Sequence, residues 1–473
     1  VENSFDRAQF SAGGMGMVSS ISKSARFRNW FYRIRPLPDY YGREFKAAYA
    51  FLSETAAWTR PQILDYKLHA LRSLVAHAIA HVPFYRERYR REGIAAEDIL
   101  TLDDFSHLPT IRPEDLANSA EQLHAERFDS YHPLPTYTSG TTGQVKALFR
   151  GSRQEAFRRA ALWRIFSMHG YTFKQRRITL EPPRTFVPCP KLYDLDRIEN
   201  NLVIEGRELL AGRHREIIDL IRSFRPTMLW SLPNPLVSLA DYMENHDLPP
   251  IPLTLVVTYG EKIFPHTQAM IRKAFPARYL DYYGNRENTI AAWAEPCGRF
   301  TEFSEYCHLE NTADDGGAGD LISTSLHNFA MPLIRYNTGD LVTDLHYDSP
   351  ESPRPSFELL GGRGKDLLLT RDGLTPSYVL LYLEHQKFTK FRTVQLEQTA
   401  IDEVILRVEV GSEYDRVVDE PKVIEYATEA LMGKFRVTIE YVDRIPLSEG
   451  GKFRPVLSPL ALAEVRRKAI SPI

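Results

Sequence analysis

The chain has 473 residues, with 59 Lys and Arg against 61 Asp and Glu. That length implies more than one domain and a sizeable core, and the near balance of charge argues against a polyanion binder, so nucleic acid is not an expected partner. Three cysteines, Cys189, Cys297 and Cys307, cannot build a disulfide framework here, and the odd count favours a reducing compartment.

The first residues lack the continuous apolar stretch of a signal peptide, and no window approaches the roughly 18 apolar residues of a membrane span. We therefore expect a cytoplasmic protein. Gly13–Met17 reads as a flexible segment. Residues 23–35 interleave bases with aromatics, which suits a packed basic helix more than a membrane-surface one. Leu64, Leu68, Leu71, Val75, Ala78, Ile79 and Val82 recur at three- and four-residue spacing, so a helix is expected over 64–82, ending near Pro83.

The run Thr138-Ser139-Gly140-Thr141-Thr142-Gly143-Gln144-Val145-Lys146 follows. Glycines let the backbone turn its N–H groups onto an anion, and the hydroxyls beside them add donors. It is not a Walker loop, because Val145 stands where that loop needs glycine. A solvated Ser/Thr/Gly turn would read the same way in isolation.

Beyond it the pattern alternates. Helices are expected over 216–224, 236–243 and 266–275, and strands over 227–232, 254–258 and 278–282. Crossover units of this kind build a largely parallel sheet, whose ligands gather beyond the carboxyl ends of the strands, near Gly260 and Gly284. Residues 348–361, rich in proline and serine, read as a connector. After them Val404–Val410 and Val437–Tyr441 alternate around a helix at 423–432, a small α+β unit. The expected organisation is an N-terminal extension (1–60, partly flexible), a large α/β domain with mostly parallel sheets and flanking helices (61–364), and a small mobile α+β lid (365–473).

Four further segments carry chemistry. In Asp281-Tyr282-Tyr283-Gly284-Asn285-Arg286-Glu287 an aromatic at a strand end can stack on a purine, and a carboxylate one turn later can hold Mg²⁺. In Arg335-Tyr336-Asn337-Thr338-Gly339-Asp340 the carboxylate leaves a glycine turn and can accept both ribose hydroxyls. Gly362-Arg363-Gly364-Lys365-Asp366 sits at the expected domain boundary. Pro446–Arg454 contains Lys452 on a glycine turn, where an ammonium can reach a phosphoryl group. Each alone also reads as an ordinary turn or surface ion pair.

Together, in this order and spacing, the segments resemble the adenylate-forming superfamily of acyl-CoA synthetases, adenylation domains and luciferases. Within it the chain is most similar to phenylacetate-CoA ligases and CapK-like proteins. His81-Val82-Pro83-Phe84-Tyr85-Arg86-Glu87 resembles their hVPFYre signature, Leu108-Pro109-Thr110-Ile111-Arg112 their LP.t.k segment, and Met331–Tyr336 their PliRY run. The resemblance spans residues 64 to 456.

The resemblance implies roles. Thr138, Ser139, Gly140, Thr141, Thr142, Gly143 and Lys146 would wrap the β- and γ-phosphates of ATP. Gly260, Glu261, Asp281, Tyr282 and Gly284 would border the adenine, with Tyr283 stacked on it. Glu287 would hold Mg²⁺, Asp340 the ribose, and Arg363 would assist near ribose or phosphate. Lys365 matches the hinge and Lys452 the catalytic lysine of the lid. Trp230, Ser231, Pro233, Val257 and Tyr259 fall in the acid pocket, whose apolar and aromatic character suits an aryl or medium acyl group. The implied activity is ATP-dependent activation of a small carboxylic acid as acyl-AMP, then transfer to the thiol of coenzyme A.

There are departures. Val145 replaces a proline, and Arg286 replaces the Thr or Ser that often holds the α-phosphate, so its guanidinium either takes over that task or marks a changed site. Arg371–Tyr378 lacks the usual following glutamate. The acceptor therefore stays open between coenzyme A, an amine, and the phosphopantetheine arm of a carrier protein. A nucleotide-binding protein without turnover is a further reading, opposed by the intact Glu287, Asp340 and Lys452. Cys297, Cys307 and His308 resemble a cysteine–histidine cluster of some relatives, but no fourth zinc ligand is evident and ordinary packing explains them.

Overall fold

The computed structural model describes residues 36–138, 146–181, 192–205, 212–260, 263, 265–296, 298–313, 317–361, 367–371, 373–376, 390–410, 414–431, 433–443, 445, 456–461 and 463–464. They fall into two compact units, one drawn from 1–67, 151–307 and 326–328, the other from 68–150, 308–325 and 329–473. No helix among the described residues is long and apolar enough to cross a membrane. The Gly13–Met17 segment and the basic 23–35 segment lie outside them.

The helix expected at 64–82 runs Arg60–His81 and stops where Pro83 opens the next one. The first strands in the chain, β1 (Leu134–Thr138) and β2 (Lys146–Arg150), belong to the second unit and form an antiparallel hairpin with Thr138 opposite Lys146. Ser139, Gly140, Thr141, Thr142 and Gly143, which link them, lie outside the described residues.

The first unit holds β3 (Arg177–Glu181), β4 (Tyr193–Asp196), β5 (Asn201–Glu205), β6 (Met228–Ser231), β7 (Leu255–Tyr259), β8 (Arg278–Gly284), β9 (Ala291–Ala294) and β10 (Arg299–Glu302), in the order β10-β9-β8-β7-β6-β3-β5-β4. From β5 through β3, β6 and β7 to β8 neighbours are parallel, and β4, β9 and β10 pair antiparallel at the flanks. The crossovers are the helices His214–Phe224, Pro233–Asn245 and Pro265–Ala274. Ile217, Ile218 and Ile221 of the first, Leu236, Leu239, Ala240 and Met243 of the second, and Ile271 and Ala274 of the third bury against Leu229, Val256 and Tyr279 of the sheet. That is the i, i+3, i+4 stripe of a helix meeting the period-2 face of strands.

Two buried ion pairs tie the helices Arg60–His81 and Ser152–Met168 to the end of β10 and the turn after it. Lys67 Nζ lies 2.6 Å from Glu302, which also accepts from Ser304 Oγ at 2.5 Å. Arg164 donates to Glu305 at 2.7 Å, and Thr55 Oγ1 donates to the same oxygen at 2.7 Å. The helix Leu37–Glu54, inside the segment read as an N-terminal extension, is kinked at Gly42, whose φ of 90° only glycine adopts readily.

In the second unit, β11 (Cys307–Asn311, all but its first residue), β12 (Gly319–Ser325), β13 (Tyr336–His346) and β14 (Ser356–Gly361) lie in that order. β14 corrects the reading of 348–361 as a connector throughout: Ser349–Pro355 is a turn region, but Ser356 onward pairs antiparallel with β13 and buries Phe357. A hairpin of β15 (Leu367–Thr370) and β16 (Gly373–Pro376) follows. Then β17 (Phe391–Ala400), β18 (Glu403–Val410), β19 (Arg436–Tyr441) and β20 (Val456–Leu457) form a sheet ordered β19-β18-β17-β20. Its apolar face, with Leu396, Val404, Leu406 and Val408, packs on Val423 and Ala427 of the helix Arg416–Ala430. That helix starts before the expected Val423 because Asp415 accepts from the N–H groups of Val417 and Val418, and it contains Pro421.

Candidate active site at the carboxyl ends of the parallel strands

The adjacent parallel strands β6, β7 and β8 end together, with Ser231, Thr258 and Asp281 in register and Trp230, Val257 and Leu280 in register one step earlier. Alternation along a strand sends these two rows to opposite faces. Of the expected pocket residues, Trp230, Val257 and Tyr259 therefore share one face, and Ser231 points to the other.

The first face is aromatic. Trp230 stacks on Tyr259 at 4.7 Å and 21°, and meets Tyr282 at 5.8 Å and Phe166 edge-on at 5.4 Å. Phe166 comes from the helix Ser152–Met168, a contact that sequence periodicity did not reveal. Burial raises the Tyr282 phenol to about 12 despite the nearby Arg158 guanidinium. Val257 is fully buried, and Pro233 opens the helix Pro233–Asn245 at its first turn, where a missing N–H costs nothing.

The second face is polar and buried. Thr258 Oγ1 donates to Asp281 Oδ1 at 2.8 Å, and with its one proton so used it accepts from the Tyr279 hydroxyl at 2.6 Å. Burial pushes the Asp281 carboxyl up to about 7, partly offset by the Thr258 and Tyr282 N–H bonds. Ser231 Oγ, fully buried, has no hydrogen-bond partner among the described residues.

Past the strands the backbone turns on glycine. Gly260 has φ +78°, and Glu261 after it lies outside the described residues. At Gly284 a Cβ would sit 2.9 Å from the Tyr282 ring, so the absence of a side chain lets that ring fold back over the strand end. Tyr283 is half-buried with its ring edge-on to Phe300 at 5.6 Å. Arg286, exposed, and Glu287, half-buried, occupy the turn that follows. Asn285 Oδ1 accepts from the Thr289 N–H at 2.9 Å and its amide donates to Thr289 Oγ1 at 2.7 Å, which closes the turn on itself.

In the second unit Asp340 lies within β13 just after Gly339, whose φ is +73°. Its N–H donates to Thr338 Oγ1 at 3.1 Å, Thr338 donates to the Leu321 carbonyl at 2.9 Å, and Asn337 donates to Asp320 at 2.8 Å. A register shift between Asp320 and Ile322 accompanies this turn. Arg335, ahead of it, has φ +52°, and its Nε donates to both carboxylate oxygens of Glu310 at 3.1 Å. Thr138 and Lys146 flank the hairpin loop as described above. Arg363, Lys365 and Lys452 lie outside the described residues.

Cys307 is a buried thiol bonded weakly to the carbonyls of Ala291 at 3.5 Å and Phe303 at 3.7 Å, and burial raises it well above the usual thiol range. Cys297 lies outside the described residues. Among the described residues no group of three or more His, Cys, Asp or Glu could hold a metal by itself. Glu287 fits a different case, a divalent cation that arrives with phosphate groups and keeps much of its water, for which one or two protein carboxylates suffice.

No family model matches the chain. It is 25% identical over 396 residues to the phenylacetate-coenzyme A ligase of Aromatoleum evansii, covering 75% of this chain and 83% of that one. With the phenylacetate-coenzyme A ligase of Thermus thermophilus it shares 24% over 447 residues, 82% and 94% of the two chains. Among solved structures, 2-hydroxyisobutyryl-CoA ligase in the postadenylation state with 2-HIB-AMP aligns at a TM-score of 0.61 and 18% identity, over 85% of this chain and 90% of that one. The same ligase in the thioesterification state, with 2-HIB-AMP and CoA, aligns at 0.51 and 18% identity over 87% and 93%. At such identity the likeness to the solved structures is one of fold.

Proposed function

This chain is a member of the adenylate-forming superfamily, related to the phenylacetate-coenzyme A ligases, and from that premise we propose that it activates a carboxylic acid with ATP and passes the acyl group to the thiol of coenzyme A. The observation that carries the reading is the strand-end cluster of the first unit. One sheet carries, at and just past its carboxyl edge, an aromatic wall of Trp230, Tyr259 and Tyr282, the half-buried Tyr283 ring, and a carboxylate turn at Glu287.

In this reading the aromatic wall accepts the apolar body of an aryl or medium-sized acyl acid. Tyr283 stacks on the adenine. The acid's carboxylate attacks the α-phosphorus of ATP, forming the acyl–O–P bond as pyrophosphate leaves. Two anions meet in that step, so cationic groups carry much of the catalysis. Arg286 stands beside Glu287 and takes the α-phosphate in place of the usual hydroxyl, Asp340 accepts the ribose hydroxyls, and Lys452 supplies an ammonium on a lid that hinges at Lys365. Mg²⁺ held by Glu287 would supply charge neutralisation on the leaving pyrophosphate. Thioester formation follows when the thiol attacks the acyl carbon and AMP departs.

The test presents coenzyme A, a set of amines and a holo-carrier protein to the preformed adenylate and identifies the product by mass. A CoA thioester supports the proposal. An adduct formed only with an amine or a carrier arm moves the chain to the amide- or carrier-ligase reading.

A further inference from the structure

The turn that carries Arg286 and Glu287 is closed by its own amides, as Asn285 binds Thr289 and the Asn288 amide donates to the Arg286 carbonyl at 2.9 Å. One tie to the body of the first unit is the carbonyl oxygen of Asn288. Tyr306 Oη donates to it at 2.8 Å and Gln154 Nε2 at 3.0 Å, occupying both lone pairs. Asn288 has φ +57°, a left-handed conformation that asparagine adopts more readily than most residues.

Both donors stand on fixed ground. Tyr306 is fully buried, its ring stacked on Phe157, its N–H bonded to the Phe303 carbonyl at 2.8 Å and its own carbonyl accepting from Leu326 at 3.0 Å. The residues just before it are the buried carboxylates Glu302 and Glu305, locked by Lys67 and Arg164. Gln154 is buried on the helix Ser152–Met168.

We infer that Tyr306 and Gln154 are positioning residues for Glu287: by pinning the Asn288 peptide they fix the direction of the carboxylate that receives the divalent cation. This rests on the cation-binding role proposed for Glu287. Without the phenolic hydroxyl the Asn288 peptide rotates more freely, the carboxylate samples more orientations, and cation affinity falls. The stack of Trp230 on Tyr259 in the acid-binding wall keeps its geometry.

The experiment uses the full chain with a non-hydrolysable ATP analogue and Mn²⁺ as the probe, its binding read by electron paramagnetic resonance. Tyr306→Phe, Gln154→Met and Glu287→Gln are compared with the wild type, alongside melting temperature and the KM for the acid. Tyr306→Phe should weaken Mn²⁺ binding roughly tenfold, the scale of an outer-shell partner, with the acid KM unchanged. Gln154→Met should move in the same direction and keeps the inference testable should the tyrosine variant fail to fold. Mn²⁺ binding unaltered in both variants but weakened in Glu287→Gln overturns the inference while leaving the role of Glu287 standing. Mn²⁺ binding unaltered in Glu287→Gln overturns that role and the inference with it. A parallel loss of melting temperature, acid affinity and Mn²⁺ affinity in Tyr306→Phe would mark a merely structural tyrosine and also overturn it.

Discussion

Replacing Asp281 by Asn should stabilise the first unit, and by more at high pH than at low. Burial raises the Asp281 carboxyl from 3.8 to about 7. Between those values the folded chain keeps a proton that the unfolded chain has lost, so the wild type loses stability as pH rises through this window and stays at the lower level above it. At about 1.4 kcal/mol per pH unit the loss is complete at about 4 kcal/mol above pH 7, and only about 1.5 kcal/mol of it is present at pH 5. Asn keeps the acceptor for the Thr258 hydroxyl, which lies 2.8 Å from Asp281 Oδ1, and does not titrate. The advantage of Asp281→Asn should thus grow by about 2 to 3 kcal/mol between pH 5 and pH 8. Urea unfolding at the two pH values measures it. Trp58, Trp163, Trp230 and Trp293 all belong to the first unit, so tryptophan fluorescence reports on its transition. An advantage independent of pH, or one largest at pH 5, refutes the argument that burial governs this carboxyl.

Lys67→Met leaves the Glu302 carboxylate buried without its cation and should cost about 3 to 5 kcal/mol, seen as a lower melting temperature. Adding Glu302→Met to the same chain should recover most of that loss, since neither charge then needs a partner. Gly284→Ala places a methyl 2.9 Å from the Tyr282 ring and displaces that ring from its contact with Trp230. The KM for the carboxylic acid should rise about tenfold, equivalent to about 1.4 kcal/mol of binding, with stability falling by less than about 3 kcal/mol; steady-state kinetics over an acid series and a thermal melt check both.

Periodicity carried far in this chain because the crossovers of the first unit obey it closely. Ile217, Ile218 and Ile221 sit at helical spacing, and Leu255–Thr258 is a short apolar β-branched run bounded by Gly260, so both elements appear near their expected limits. The strand Ser356–Gly361 was hidden for a local reason. The Pro- and Ser-rich turn just ahead of it masks a run in which only Phe357 is an obvious buried anchor, and its pairing with Val342 and Thr343 is set by contacts that no local pattern encodes.

The candidate site divides in the same way. Tyr283, Gly284, Glu287 and Asp340 could be proposed from the sequence because a motif compresses backbone geometry into adjacent letters. Tyr306 and Gln154 were not, because each meets Asn288 through a single hydrogen bond across 18 and 134 positions of sequence. Nor were the Lys67–Glu302 and Arg164–Glu305 pairs, which join positions 235 and 141 apart. Charged residues at those positions read as surface until the fold buries them.

The proposed acid activation through an acyl-adenylate relies on the ammonium of Lys452. Exchange of labelled pyrophosphate into ATP, followed with and without a panel of aryl and medium-chain acids in the wild type and in Lys452→Ala, tests it most directly. Exchange is expected only when an acid is present, with a fall of about 10²- to 10³-fold in the variant. Exchange that ignores the acid, or that survives the loss of Lys452 at full rate, contradicts it.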